Sequence, residues 1–163
     1  MPLEQDVETL RNIPLFAGLP TARLKLIAYT AEVVRFAPGE VIVQQGDAAD
    51  AVYIITEGEA GVWLHDHEGN EINLATMGPH SLFGETAVIC KGQRTATVKA
   101  KDRVVTFKIS ANLFLDLVRQ SPEIGMQVMT VLAQRVERTS NALPVSVRAK
   151  LGANGRSLPN RKL

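Results

Sequence analysis

The spacing of hydrophobic positions changes twice along the chain. Near the start, Val7, Leu10 and Arg11 lead into Ile13-Pro14-Leu15-Phe16, where Pro14 breaks any helix. A second helix is predicted after Pro20, with Leu24, Ile27 and Ala28 on one face. From about Glu32 to Ile109 the pattern turns to short strands, punctuated by Pro38-Gly39, Gly46-Asp47, Glu57-Gly58, Glu68-Gly69-Asn70 and Gly78-Pro79. Val41-Ile42-Val43, Val52-Tyr53-Ile54-Ile55 and Val104-Val105-Thr106-Phe107 have strand composition. Val62/Leu64 and Ile72/Leu74 alternate with polar neighbours on either side of the Glu68-Gly69-Asn70 turn, which predicts a hairpin.

After Ile109 the helical period returns. Ser110 can cap a helix carrying Leu113, Phe114, Leu117 and Val118. Ser121-Pro122-Glu123 then reads as a helix start, with an N-cap serine, proline at the first position and acid in the first turn. That helix runs through Ile124, Val128, Val131, Leu132 and Val136 toward Leu143, where Pro144 stops it. At 1.5 Å per residue, about 20 residues span roughly 30 Å, and the apolar stripe is available to a partner. The expected fold is mainly β with flanking α: a β-sandwich or jelly roll with helices at both ends.

At 163 residues the chain has room for one domain and a real core. With 45% hydrophobic and 21% charged residues it is not a largely disordered chain. Cys90 is the single cysteine, which excludes an intramolecular disulfide and fits a reducing compartment. No apolar run approaches the ~20 residues needed to cross a bilayer. MPLEQDVETL lacks the basic and apolar regions of a secretory signal. The expectation is a soluble, cytoplasmic protein.

Charge is divided unevenly. Residues 1–145 hold 13 Lys and Arg against 17 Asp and Glu, a poor nucleic-acid surface. The last 18 residues hold Arg148, Lys150, Arg156, Arg161 and Lys162 with no acid. The expected organisation is one domain over 1–145, with a strand core at about 32–109 and C-terminal helices at about 111–143. A basic, disordered tail follows over 146–163. The tail is either solvated or an arm for an acidic partner, nucleic acid or a membrane surface.

The segment with chemical content is Phe83-Gly84-Glu85-Thr86-Ala87-Val88-Ile89-Cys90, followed by Lys91-Gly92-Gln93 and Arg94-Thr95-Ala96-Thr97-Val98. A strand ends at Phe83, Gly84 permits a tight backbone approach, and one helical turn begins at Glu85. The free N–H groups of a first turn suit a phosphate. Nine residues beyond Glu85, Arg94 opens the next strand, where a guanidinium can bind two phosphate oxygens at once. A carboxylate beside a phosphate repels it unless it faces a hydroxyl donor such as a ribose 2′-OH. One phosphate, one arginine and one ribose-facing acid describe a sugar-phosphate ligand. The plainer alternative is a surface ion pair of Glu85 with Arg94, with Gly84 merely making a turn.

FGETAVICKGQRTATV resembles the phosphate-binding cassette of the cyclic-nucleotide-binding domain family, whose pattern is FGE, a short apolar helix, then R-[TSA]-A-x-V. The resemblance covers roughly residues 10–143. FAPGEVIVQQGDAADAVYIITEGEAGVWL is similar to the family's opening strands, with Gly39, Gly46 and Gly58 at turn positions. SPEIGMQVMTVLAQRVERTSNAL aligns without gaps to the long hinge helix of the family's bacterial cAMP receptors. Arg135, Thr139 and Ser140 fall on an arginine and a threonine-serine pair there. In the same register Arg135 falls on a base-facing arginine of the family's hyperpolarisation-activated channels. One departure is that Gly78 is followed by Pro79-His80-Ser81, where the family often carries a second glycine before FGE.

The resemblance implies roles residue by residue. Within the Phe83-Gly84-Glu85 motif, Glu85 accepts from the ribose 2′-OH. Arg94 pairs with the exocyclic phosphate oxygens. Backbone N–H groups around Thr86, Ala87 and Thr95 complete the phosphate cradle. Val62 and Leu74 match apolar positions lining the base pocket. Thr139 meets the base edge, and Ser140 reaches the pocket of an opposite subunit. Independently of the family, Arg135 and Thr139 lie at i and i+4 and continue the stripe of Val128, Val131 and Leu132, where a polar residue needs a reason or is simply solvated. Thr95 suits the guanine 2-amino group but also occurs in members that respond to cAMP. Thr139-Ser140 matches an adenine-type contact, so cAMP is the expected ligand and cGMP the alternative.

Other candidates are weaker. His65 and His67 share a strand face, so two-ligand metal binding is conceivable, but no third ligand is evident and no metal is expected. Cys90 reads as a small apolar filler. Trp63 either packs or marks an interface.

No nucleophile–base pair appears, so catalysis is not expected; hydrolysis of a cyclic phosphate is a distant third reading. The primary expectation is a cyclic-nucleotide sensor that moves its C-terminal helix and signals to a separate, unidentified effector, with a homodimer through that helix. The alternative is a protein-interaction module of the same fold with weak or no nucleotide binding. Only 20 residues follow Leu143, so a DNA-reading helix-turn-helix is not expected within this chain.

Overall fold

The computed structural model describes residues 3–142, with side chains through Arg138. The chain divides into two compact units, one ending at Ile124 and the other beginning at Gly125.

In the first unit, α1 (Leu3–Arg11) buries Val7 and Leu10, and Pro14 starts a 3-10 turn whose Leu15 and Phe16 are buried. Proline fits there because a first-turn N–H would be unsatisfied in any case. Helix α2 (Thr21–Thr30) follows Pro20 and buries Leu24, Ile27 and Ala28, the face expected from spacing.

Eight strands follow among the described residues: β1 (Glu32–Phe36), β2 (Val41–Val43), β3 (Ala51–Glu57), β4 (Ala60–His65), β5 (Glu71–Met77), β6 (Leu82–Phe83), β7 (Thr97–Ala100) and β8 (Val104–Ser110). They form two antiparallel four-stranded sheets, ordered β1-β8-β3-β6 and β2-β7-β4-β5. Strand 1 thus pairs with 8, 2 with 7, 3 with 6 and 4 with 5, the nested pairing of a jelly roll. Ile42, Val43, Tyr53, Ile55, Phe83, Val98 and Val104 belong to one buried cluster of the core, with Val62 packed against it. β3 is the central anchor: Val52, Ile54 and Ile55 are fully buried.

The β4–β5 hairpin departs from simple alternation. Val62 lies opposite Ala75 and Trp63 opposite Asn73, which leaves Leu74 as the extra residue of a bulge. β5 is an edge strand, where a bulge is tolerated and spoils the edge for further pairing. Leu74 is accordingly 56% exposed.

Helix α4 (Ala111–Gln120) is capped as expected: Ser110 Oγ accepts from the Leu113 N–H at 3.3 Å. Helix α5 (Pro122–Ala142) begins in the first unit, where the Ser121 hydroxyl donates to the Glu123 carboxylate at 3.1 Å. The second unit is described through the continuation of α5, on which Met126, Met129 and Val136 are exposed. The basic tail expected over 146–163 lies outside the described residues.

Candidate functional site

The cassette is built on the β6-to-β7 connection. Phe83 ends β6 and is buried, its ring stacked on Tyr53 at 5.2 Å with 8° between the planes. Gly84 then turns the chain with φ 87 and ψ −4, the left-handed region where a side chain is penalised. A Cβ there would also come within 2.5 Å of Arg94 Nη1. Helix α3 (Glu85–Ile89) starts on the next residue. Glu85 is fully buried, Ala87 is buried and Thr86 is half-buried.

Arg94 is 5% exposed, so like Glu85 it belongs to the interior and not to the surface. Its Nη1 donates to the Gly84 carbonyl at 3.1 Å, and its Nη2 donates to the Ala51 carbonyl at 2.7 Å. The Asp50 carboxylate lies 3.6 Å from Nη2, and Tyr53 holds its ring centroid 6.0 Å from Cζ, within cation–π range. A buried guanidinium oriented by two main-chain carbonyls is fixed before any anion arrives, which lowers the ordering cost of binding one.

Arg94 does not open a strand, as its spacing suggested. β7 begins at Thr97, and Arg94 sits in the preceding loop. Its main chain is tied to the β2–β3 connection instead: Arg94 N–H donates to the Asp47 carbonyl at 2.7 Å, and Gly46 N–H donates to the Arg94 carbonyl at 2.9 Å. Cys90, expected as a filler, is exposed where α3 ends and the chain turns through Lys91 at φ 52.

The structure brings Phe83, Gly84, Glu85, Thr86, Ala87 and Arg94 into one cluster, with exposed Thr95 beside Arg94. Val62 is half-buried on β4 and Leu74 stands at the β5 bulge, both in the other sheet. Arg135 is half-buried on α5 in the second unit, while the side chains of Thr139 and Ser140 lie outside the described residues. The loop before Leu82 dispenses with the family's second glycine by placing His80 at φ 71, its N–H donating to the Ile55 carbonyl at 2.7 Å. Tyr53, Asp50 and the Ala51 carbonyl escaped the sequence reading. They lie some 43 residues before Arg94, and no local pattern links them to it.

At the hairpin tip, Asp66 accepts from the Glu68 and Asn70 N–H groups at 2.9 and 2.8 Å. Those bonds, the Asn70 backbone one first, hold its carboxyl below the usual carboxylate range. Glu71 accepts from Lys99 at 2.7 Å and pairs with His65 at 2.8 Å, and these two hold it below its ordinary value. Among the described residues, no group of three His, Cys, Asp or Glu is placed to hold a metal ion.

The Cyclic nucleotide-binding domain family matches residues 33–121. The chain belongs to this family. The span runs from β1 to Ser121 and contains the whole cassette.

A CRP-like cAMP-activated global transcriptional regulator of Mycobacterium tuberculosis is 28% identical over 136 residues, 83% of this chain and 61% of that protein. The Thermus thermophilus catabolite activator protein superposes with a TM-score of 0.69 at 28% identity, covering 77% of this chain and 59% of that one. The regulatory subunit of a cAMP-independent protein kinase A from Trypanosoma brucei superposes with a TM-score of 0.65 at 27% identity, covering 79% and 51%. The chain therefore spans about 60% or less of each relative's length. No helix among the described residues is long and apolar enough to cross a membrane.

Proposed function

We propose that this cyclic nucleotide-binding domain is a cAMP sensor that acts by conformational change and not by catalysis. The observation that carries the reading is Arg94: a buried guanidinium beside Gly84 and the start of α3, in the same cluster as fully buried Glu85. In this reading Arg94 meets the exocyclic phosphate oxygens, and Glu85 accepts from the ribose 2′-OH. The N–H groups around Thr86, Ala87 and Thr95 complete the cradle, and Val62 and Leu74 flank the base. By the family resemblance alone, Arg135, Thr139 and Ser140 are assigned to base recognition, and a ligand with unequal affinity for two positions of α5 shifts its population by that difference.

The exposed Met126, Met129 and Val136 support self-pairing through α5. In this reading α5 passes the signal to an unidentified effector, and the site of action is the cytoplasm.

Titration calorimetry with cAMP and cGMP tests the reading, with saturable cAMP binding as the expected result. A tenfold advantage for cGMP would reverse the base assignment. Two observations favour a second reading, an interaction module with weak or no nucleotide binding. Arg94 already bonds to two carbonyls and lies near Asp50, and a relative of similar fold is described as cAMP-independent. Absence of heat with both nucleotides would select it.

A further inference from the structure

The β4 ladder changes partner at its C-terminal end. Toward β7, Gly61 lies opposite Lys99 and Trp63 opposite Thr97, so the next rung would set His65 opposite Thr95. Thr95 has left the sheet, since β7 begins at Thr97. The vacant rung is filled by one side chain: Gln45 Nε2 donates to the His65 carbonyl at 3.1 Å, and Gln45 Oε1 accepts from the His65 N–H at 2.8 Å. A primary amide offers a donor and an acceptor in the same plane, as a peptide group does, so it completes an antiparallel rung without a strand. Gln45 is itself fixed, because its N–H donates to Oγ1 of fully buried Thr97 at 2.9 Å. The next two residues, Gly46 and Asp47, hold both main-chain groups of Arg94.

We propose that Gln45 is a positioning residue for the phosphate side of the site. Its amide replaces Thr95 in the β4 ladder and so leaves the Thr95 N–H to the ligand, while its main chain leads directly into the pair that seats Arg94. The inference rests on the cyclic-nucleotide reading.

The test compares wild-type chain with Gln45→Ala and Gln45→Glu by calorimetry with cAMP and by the 31P resonance of bound cAMP. The expected result for Gln45→Ala is about tenfold weaker binding, the size of one or two hydrogen bonds. The bound 31P resonance moves toward its free position, a change that a loss of stability alone does not produce. Gln45→Glu keeps the acceptor for the His65 N–H and recovers part of both effects. If Gln45→Ala does not fold, Gln45→Met keeps the length without the amide and serves in its place. Unchanged affinity and 31P position in a folded variant overturn the inference and leave the sensor reading intact. A wild-type chain that binds no cyclic nucleotide overturns the reading and the inference with it.

Discussion

Replacing Arg94 by leucine removes a buried guanidinium from the carbonyls of Gly84 and Ala51 and from the carboxylate of Asp50. Two effects separate. On stability, buried carbonyls lose their donors, a loss of about 1–3 kcal/mol. At this chain length that lowers Tm by about 2–4 °C per kcal/mol. On binding, each charge-assisted hydrogen bond to phosphate is worth about 1.5–3 kcal/mol, so a two-point contact supplies about 3–6 kcal/mol. Part is offset because the same N–H groups already have carbonyl partners without ligand. The net expectation is a loss of affinity of about 100-fold or more, at 1.4 kcal/mol per tenfold. Arg94→Lys keeps the charge without the planar fork and should lose less. The assay is calorimetric titration with cAMP, after circular dichroism shows a folded variant with a cooperative melt. A folded Arg94→Leu protein with wild-type affinity would refute the cassette assignment.

Four other outcomes are expected. Gly84→Ala places a Cβ 2.5 Å from Arg94 Nη1 at a left-handed φ of 87, and should lower stability by about 1–2 kcal/mol and weaken cAMP, as read by thermal melts and titration. Glu85→Ala should weaken cAMP less than Arg94→Leu and narrow the gap between cAMP and its 2′-deoxy analogue; a full-sized gap would remove the 2′-OH role. His80→Gly relieves the left-handed φ of 71 and should raise stability by about 0.5–1 kcal/mol in chemical denaturation. Glu71 and Asp66 have depressed folded-state pKa values, so the stability that they contribute to the hairpin is present above their unfolded values and is lost as pH falls through the folded ones. Protection of the amides of residues 66–70 against exchange, taken relative to the intrinsic rate at each pH, should be greater at about pH 5 than at about pH 3, where carboxylates protonate, and Glu71→Gln should flatten that difference.

The elements of this domain were legible because each has a local cause. Pro14, Pro20 and Pro122 punctuate the helices, Ser110 caps α4, and the inward-facing residues of β3 and β8 carry the side chains that a buried strand needs. The grouping of Gly84, Glu85 and Arg94 was legible too, because the three lie within a short stretch whose backbone needs are written in residue type. Three features were decided only by tertiary structure. The start of β7 at Thr97 follows from competition for main-chain partners, since Gly46 and Asp47 take the groups of Arg94 that a strand would have used. The bulge at Leu74 follows from register between β4 and β5, which local alternation does not encode. The surroundings of Arg94, with Tyr53 and the Ala51 carbonyl, follow from jelly-roll pairing that brings β3 beside β6. Contacts between residues far apart in sequence leave no period or motif behind, and the place where a charge is buried depends on them.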